Sequence, residues 1–154
     1  EKSKHSNINN CKKYLLNKIK ISKSQIFKIP TGSKSIKKDS VNYEKILKKY
    51  FKNKKISFSL ILLGIGNDGH IASLFSDTIR IKSNKNVSYV KRKDFNRITL
   101  TIKSINNSKL IFLWAPNKIK NKIVKKIQLD KVKKYPASYL RKRNNLLFYS
   151  NWFS

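Results

Sequence analysis

An apolar run that ends in clustered glycines constrains this chain more than any other feature. Ile56-Ser57-Phe58-Ser59-Leu60-Ile61-Leu62-Leu63 closes on four apolar residues and passes directly into Gly64-Ile65-Gly66-Asn67-Asp68-Gly69-His70. Such a run predicts a strand buried on both faces, as in a parallel sheet, rather than the alternation of a strand with one wet face. Three of the chain's four glycines, Gly64, Gly66 and Gly69, follow it at once, which marks a strand end with tight backbone geometry. In open α/β sheets ligands bind beyond the carboxyl ends of strands, where the amides opening the next helix favour anions. The same loop holds Asp68, one of seven acids, and His70, one of two histidines.

The flanking patterns build an α/β fold around that strand. Ser6 is placed to cap a helix whose Ile8, Cys11, Tyr14, Leu15 and Ile19 recur every three or four residues, predicting one buried stripe and an end near Lys20. Gln25 to Ile29 reads as extended, Pro30-Thr31-Gly32 as a turn, Ser33 to Ser40 as a loop and Val41 to Phe51 as a second helix. Beyond the glycine loop, His70 to Phe75 has a short helical pattern. Val87 to Val90, Arg97 to Ile102, Leu110 to Trp114 and Leu146 to Tyr149 read as strands, with a helix from Asn117 to Gln128 and a short one opening at Pro136. Strands alternating with helices predict a mostly parallel sheet. The 154 residues, 39% of them hydrophobic, suit a single domain over 1–154 with a real core.

Charge alone would suggest nucleic acid or an anionic membrane, since 37 Lys+Arg against 7 Asp+Glu give a formal net charge of +30. The make-up of that charge argues otherwise. Of those 37 residues 32 are Lys and 5 are Arg, and Lys, Asn and Ile together supply 69 of the 154 residues. A reader of bases or phosphates favours arginine forks, so the excess is read as a compositional bias spread over solvated faces, with no specific nucleic-acid partner. No stretch approaches the ~20 apolar residues of a membrane span. The lone Cys11 excludes an internal disulfide, is expected as a small buried hydrophobe, and fits a reducing, cytoplasmic setting. The chain has no Met and no apolar signal region at Glu1-Lys2-Ser3-Lys4, so an internal piece of a longer protein is expected.

The glycine loop admits several readings. Gly64, Gly66 and Gly69 satisfy the dinucleotide fingerprint G-x-G-x-x-G, but the acid that would hold a ribose is replaced by Tyr89-Val90-Lys91-Arg92-Lys93, a set suited at most to a 2′-phosphate. Asp68 could be a helix cap and nothing more, and His70 a satisfied surface or core histidine. His5 and Cys11 have no partners at metal-ligand spacing, so no metal and no cofactor are expected.

The twelve residues Gly64-Ile65-Gly66-Asn67-Asp68-Gly69-His70-Ile71-Ala72-Ser73-Leu74-Phe75 resemble the signature of the 6-phosphogluconolactonases, Leu-Gly-x-Gly-x-Asp-Gly-His-x-Ala-Ser-Leu-Phe after a strand. Further similarities follow in the family's order: Arg97-Ile98-Thr99-Leu100-Thr101 with Ile105-Asn106-Asn107, Leu110-Ile111-Phe112-Leu113, and Pro136-Ala137-Ser138, with Ser6-Asn7 upstream. The related aminosugar-phosphate deaminases share the loop but continue Phe-Asn-Glu-Pro where this chain has Ser73-Leu74-Phe75. The resemblance implies a Rossmann-like, doubly wound sheet and hydrolysis of 6-phosphoglucono-1,5-lactone in the pentose phosphate pathway.

On that resemblance His70 takes a proton from water, Asp68 orients it or caps the turn, and Gly66, Asn67 and Gly69 contact substrate through loop amides that meet developing negative charge. A first-turn helical position would disfavour imidazolium and keep His70 a base. Arg97 is the expected phosphate contact, with Lys120 or Lys118 as the lysine partner. The chain also departs from the family. Its opening strands and Gly-Gly phosphate loop have no counterpart, an Asp-Glu-Arg motif would be compressed into Glu1-Lys2, a proline-rich run is replaced by Lys91-Arg92-Lys93-Asp94-Phe95-Asn96, and an expected acid appears as Ser150. The larger, C-terminal part of a lactonase domain is therefore expected, with open strand edges; the resemblance also allows fusion to another pentose-pathway enzyme in the parent protein, which the sequence leaves open. The competing functions are an aminosugar-phosphate deaminase, a basic RNA or lipid module, and an inactive sugar-phosphate-binding fragment.

Overall fold

A computed structural model describes residues 6–77, 83–129, 134–140 and 146–150. In chain order the elements are α1 (Asn7–Tyr14), α2 (Ile36–Tyr50), β1 (Leu60–Gly64), β2 (Val87–Val90), β3 (Arg97–Leu100), α3 (Ile102–Asn106), β4 (Leu110–Ala115), α4 (Lys118–Leu129) and β5 (Leu146–Ser150), with short 3-10 turns between them. Glu1, Lys2 and His5 lie outside the described residues.

The main sheet has order β1-β4-β5, and both pairings are parallel. Its inner face carries Ile61, Leu63, Ile111 and Leu113, which join Val124 and Ile127 of α4 and Ile105 of α3 in one core. The other face is bare among the described residues: Leu62 stands opposite Phe112 and Phe112 opposite Leu147, and Leu62 is 69% exposed. Trp114 and Tyr149 stack there in parallel planes, 4.4 Å apart. The expectation that β1 is buried on both faces is corrected: its residues alternate exposed and buried, because no described helix covers the second face.

β2 and β3 leave the parallel sheet and form an antiparallel hairpin of their own. The link Lys91–Asn96 is too short for the crossover a parallel pair needs. This hairpin packs against α2, where Leu47, Ile56 and Val87 form a second small core. α2 begins at Ile36 rather than Val41, because Ser35 caps it by accepting from the Lys38 amide and Asp39 sits in its positively polarised first turn. Ile102 opens α3 instead of ending a strand, capped by Thr101.

Four expectations at the N-terminus are also corrected. α1 stops at Tyr14, Ser6 makes no side-chain cap bond, and none of its residues is buried. Tyr14, Leu15 and Ile19 are exposed, as is Cys11, because α1 packs chiefly against the turn that follows it. No described helix is long and apolar enough to cross a membrane.

Candidate functional site

The site grows from the carboxyl end of β1. Past Gly64 the chain folds back on itself, with Ile65 bridged to Ile71, the Gly66 amide donating to the His70 carbonyl at 2.9 Å and the Gly69 amide donating to the Gly66 carbonyl at 3.0 Å. Gly69 has φ of 78°, a conformation that side chains other than glycine adopt at a cost. A Cβ on Gly66 would fall on the His70 imidazole and the Asp68 carboxylate, so glycine there leaves room for both functional side chains. The Ala137 amide donates to the Gly69 carbonyl at 3.1 Å, which docks the Pro136-Ala137-Ser138 segment against the loop.

His70 to Phe75 is not a helix; the helical expectation is corrected. Ile71 and Leu74 pair in isolated bridges and are both fully buried, Ala72 takes φ of 50°, and the Ser73 amide donates to Thr99 Oγ1 of β3 at 3.2 Å. Burying Ile71 and Leu74 in the core overrides the local helical spacing. With no helix opening at His70, no helix end lies at its imidazole.

Asp68 is the group that meets the imidazole instead. Asp68 Oδ1 lies 2.6 Å from His70 Nδ1 and accepts from the His70 backbone amide at 3.2 Å. Partial burial pushes the Asp68 carboxyl up, but the hydrogen bonds from His70 and its charge outweigh this and hold it below the usual carboxylate range. A carboxylate on Nδ1 fixes the imidazole and leaves Nε2 as the nitrogen that can accept a proton. The amides of Gly66 and Gly69 donate to the His70 and Gly66 carbonyls within the loop. Asn67 is exposed at the loop tip.

The His70 ring packs 4.4 Å from Phe75. Arg92 and Arg97 both approach Phe75, with Cζ 4.2 Å and 5.7 Å from its centroid. Arg97 is held by Asp94, with contacts of 2.8 Å and 2.6 Å, and Arg92 by Asp77. The structure thus joins Asp68, His70, Phe75, Arg92 and Arg97 in one chain of contacts. Lys118 and Lys120 stand in the first turn of α4 beyond the carboxyl end of β4, where the Lys120 amide is capped by Asn117 Oδ1 at 3.0 Å. No contact among the described residues joins either lysine to the cluster. Arg92 and Phe75 escaped assignment from sequence, although arginine is scarce here and Phe75 closes the signature.

Comparison with known proteins supplies the context. Residues 1–149 match the family described as glucosamine-6-phosphate isomerases/6-phosphogluconolactonase. A 6-phosphogluconolactonase of Synechocystis is 29% identical over 139 residues, covering 86% of this chain and 58% of that protein. The 6-phosphogluconolactonase of Bos taurus is 30% identical over 123 residues, covering 77% of this chain and 47% of that protein. The crystal structure of 6-phosphogluconolactonase from Thermotoga maritima superposes with a TM-score of 0.82 at 25% identity, covering 97% of this chain and 66% of that one. The chain spans about half the length of the curated relatives it matches.

Proposed function

The chain belongs to the glucosamine-6-phosphate isomerase/6-phosphogluconolactonase family, and from that premise we propose that it hydrolyses 6-phosphoglucono-1,5-lactone to 6-phosphogluconate. The observation that carries the reading is the Asp68–His70 pair at the mouth of β1, with Phe75 packed at a tilt against the imidazole and two guanidiniums near Phe75.

In this reading Asp68 accepts from Nδ1 and His70 Nε2 draws the proton from a water, which attacks the lactone carbonyl. Asp68 stays ionised and stabilises the imidazolium formed in that step. The ring C–O bond then breaks as the tetrahedral oxyanion collapses, and the proton on His70 passes to the departing ring oxygen. The Asn67 amide is the donor offered to the oxyanion. Arg97 grips the 6-phosphate, with Lys120 as its lysine partner. The segment that separates lactonase from deaminase in sequence, Ser73-Leu74-Phe75, supports the first of these: Ser73 ties the loop to β3, Leu74 is buried and Phe75 backs His70. We further propose that 1–154 acts as one domain, without a cofactor or a nucleic-acid partner, in the cytoplasm.

The test is the hydrolysis rate of 6-phosphogluconolactone above its spontaneous background, for the chain and for its His70→Ala variant. A rate that disappears in the variant supports the proposal. A folded His70→Ala protein with the full rate sinks it.

A further inference from the structure

Two of the five arginines in this lysine-rich chain converge on one aromatic ring beside His70. Val90, which ends β2, pairs with Arg97, which opens β3, so the hairpin brings Arg92 and Arg97 to the same end. Their side chains are 31% and 28% exposed, largely covered where surface lysines are not, and an aromatic face holds such guanidinium groups by cation–π attraction. The two ion pairs differ in a way that matters. Arg97 spends both terminal nitrogens on Asp94. Arg92 spends one, Nη1, on the two oxygens of Asp77 at 3.0 Å each, leaving Nη2 and Nε without a partner among the described residues. Asp77 is itself well exposed, so it orients Arg92 without sealing it from an incoming anion.

We propose that Arg92 is a second phosphate-contacting residue, forming with Arg97 a two-guanidinium clamp whose shared shelf is Phe75. A dianionic phosphate can accept from the free fork of Arg92 while Arg97 supplies the neighbouring charge, and planar guanidiniums suit this better than lysine ammonium groups. Because Phe75 also backs the imidazole, the clamp and His70 share one rigid ring. A sugar phosphate gripped at its phosphate end is then presented to the base at its other end. The inference rests on the sugar-phosphate reading of the site given above.

Titration calorimetry on the full chain tests it, with 6-phosphogluconate and gluconate as the two probes. Wild type is expected to prefer 6-phosphogluconate, and Arg92→Gln to weaken that affinity about tenfold or more while leaving gluconate unchanged, the loss of a charge-assisted contact. Should Arg92→Gln fail to give a native circular-dichroism spectrum, Arg92→Lys carries the test, with at least about a threefold loss expected from losing the fork. An affinity for 6-phosphogluconate unchanged in the folded variant overturns the clamp, as does a wild type that binds both probes alike. A chain that binds 6-phosphogluconate through Arg92 yet never accelerates lactone hydrolysis leaves the clamp standing and removes the lactonase reading. A chain that hydrolyses the lactone with Arg92→Gln affinity intact does the reverse.

Discussion

One oxygen of Asp68 holds both the ring and the backbone of His70: Oδ1 lies 2.6 Å from Nδ1 and accepts from the amide at 3.2 Å. Two residues apart in sequence, they meet because the loop doubles back between them, with the Gly69 amide on the Gly66 carbonyl. Asp68→Asn keeps a polar side chain of similar size but loses the charge that stabilises the protonated imidazole. It is expected to lower kcat by about a hundredfold, with a smaller effect on KM, as misplacement or mis-tautomerisation of a catalytic base does. Steady-state kinetics on the folded variant check this, and an unchanged kcat would remove Asp68 from the mechanism.

Gly66 and Gly69 separate function from stability. The atoms nearest a methyl at Gly66 belong to the side chains of His70 and Asp68, which can rotate away, so Gly66→Ala is expected to fold with nearly native stability and lose activity. A methyl at Gly69 meets Tyr135 Cδ1 at 2.7 Å on a backbone already at φ of 78°, and Gly69→Ala is expected to cost about 1–3 kcal/mol. Urea titrations of the two variants, set beside their rates, read the contrast directly.

The ion pair under β3 predicts an acid-side loss of stability. The hydrogen bonds from Arg97 hold the Asp94 carboxyl well below the usual carboxylate range, so its folded form titrates lower than its unfolded form. Its contribution is fully present above the ordinary carboxylate value of about 4 and is lost as pH falls below it. Melting temperatures measured between neutral pH and about pH 3 should fall less steeply for Asp94→Asn than for wild type. Equal slopes would show that the pair contributes nothing to folding.

The two faces of the main sheet should answer substitution differently. Leu63 and Leu113 are 7% and 0% exposed, and truncating either to Ala should cost about 2–5 kcal/mol. Leu62, one residue away from Leu63 and 69% exposed, should tolerate Leu62→Ser within about 0.5 kcal/mol. Chemical denaturation measures both. A large loss at Leu62 would mean that something covers the bare face.

Much of the site was legible because its residue types are rare here. Asp68, His70 and the surrounding glycines stand out in a chain dominated by Lys, Asn and Ile, and Arg97 opens a recognisable strand. Arg92 was not legible in the same way: it falls in a segment whose similarity to the family is lost, and its convergence with Arg97 on Phe75 spans residues 75 to 97 through a hairpin. Lys118 and Lys120 illustrate the opposite limit. Their placement at a helix start beyond β4 follows from the sequence pattern, yet that pattern says nothing of how far a flexible side chain stands from His70.

The order of helices and strands, the strand that ends in glycine and the carboxylate two residues before the histidine all belong to the sequence, since each depends on neighbours a few positions apart. Tertiary structure decided the rest. Ile71 and Leu74 gave up a helical turn because both reach the core, β2 and β3 paired with each other rather than joining the parallel sheet, and β1 kept one face open. Local periodicity records which residues are apolar, whereas burial depends on which distant element arrives to cover them. In this chain α4 supplies that cover for Leu63, and no described helix does so for Leu62.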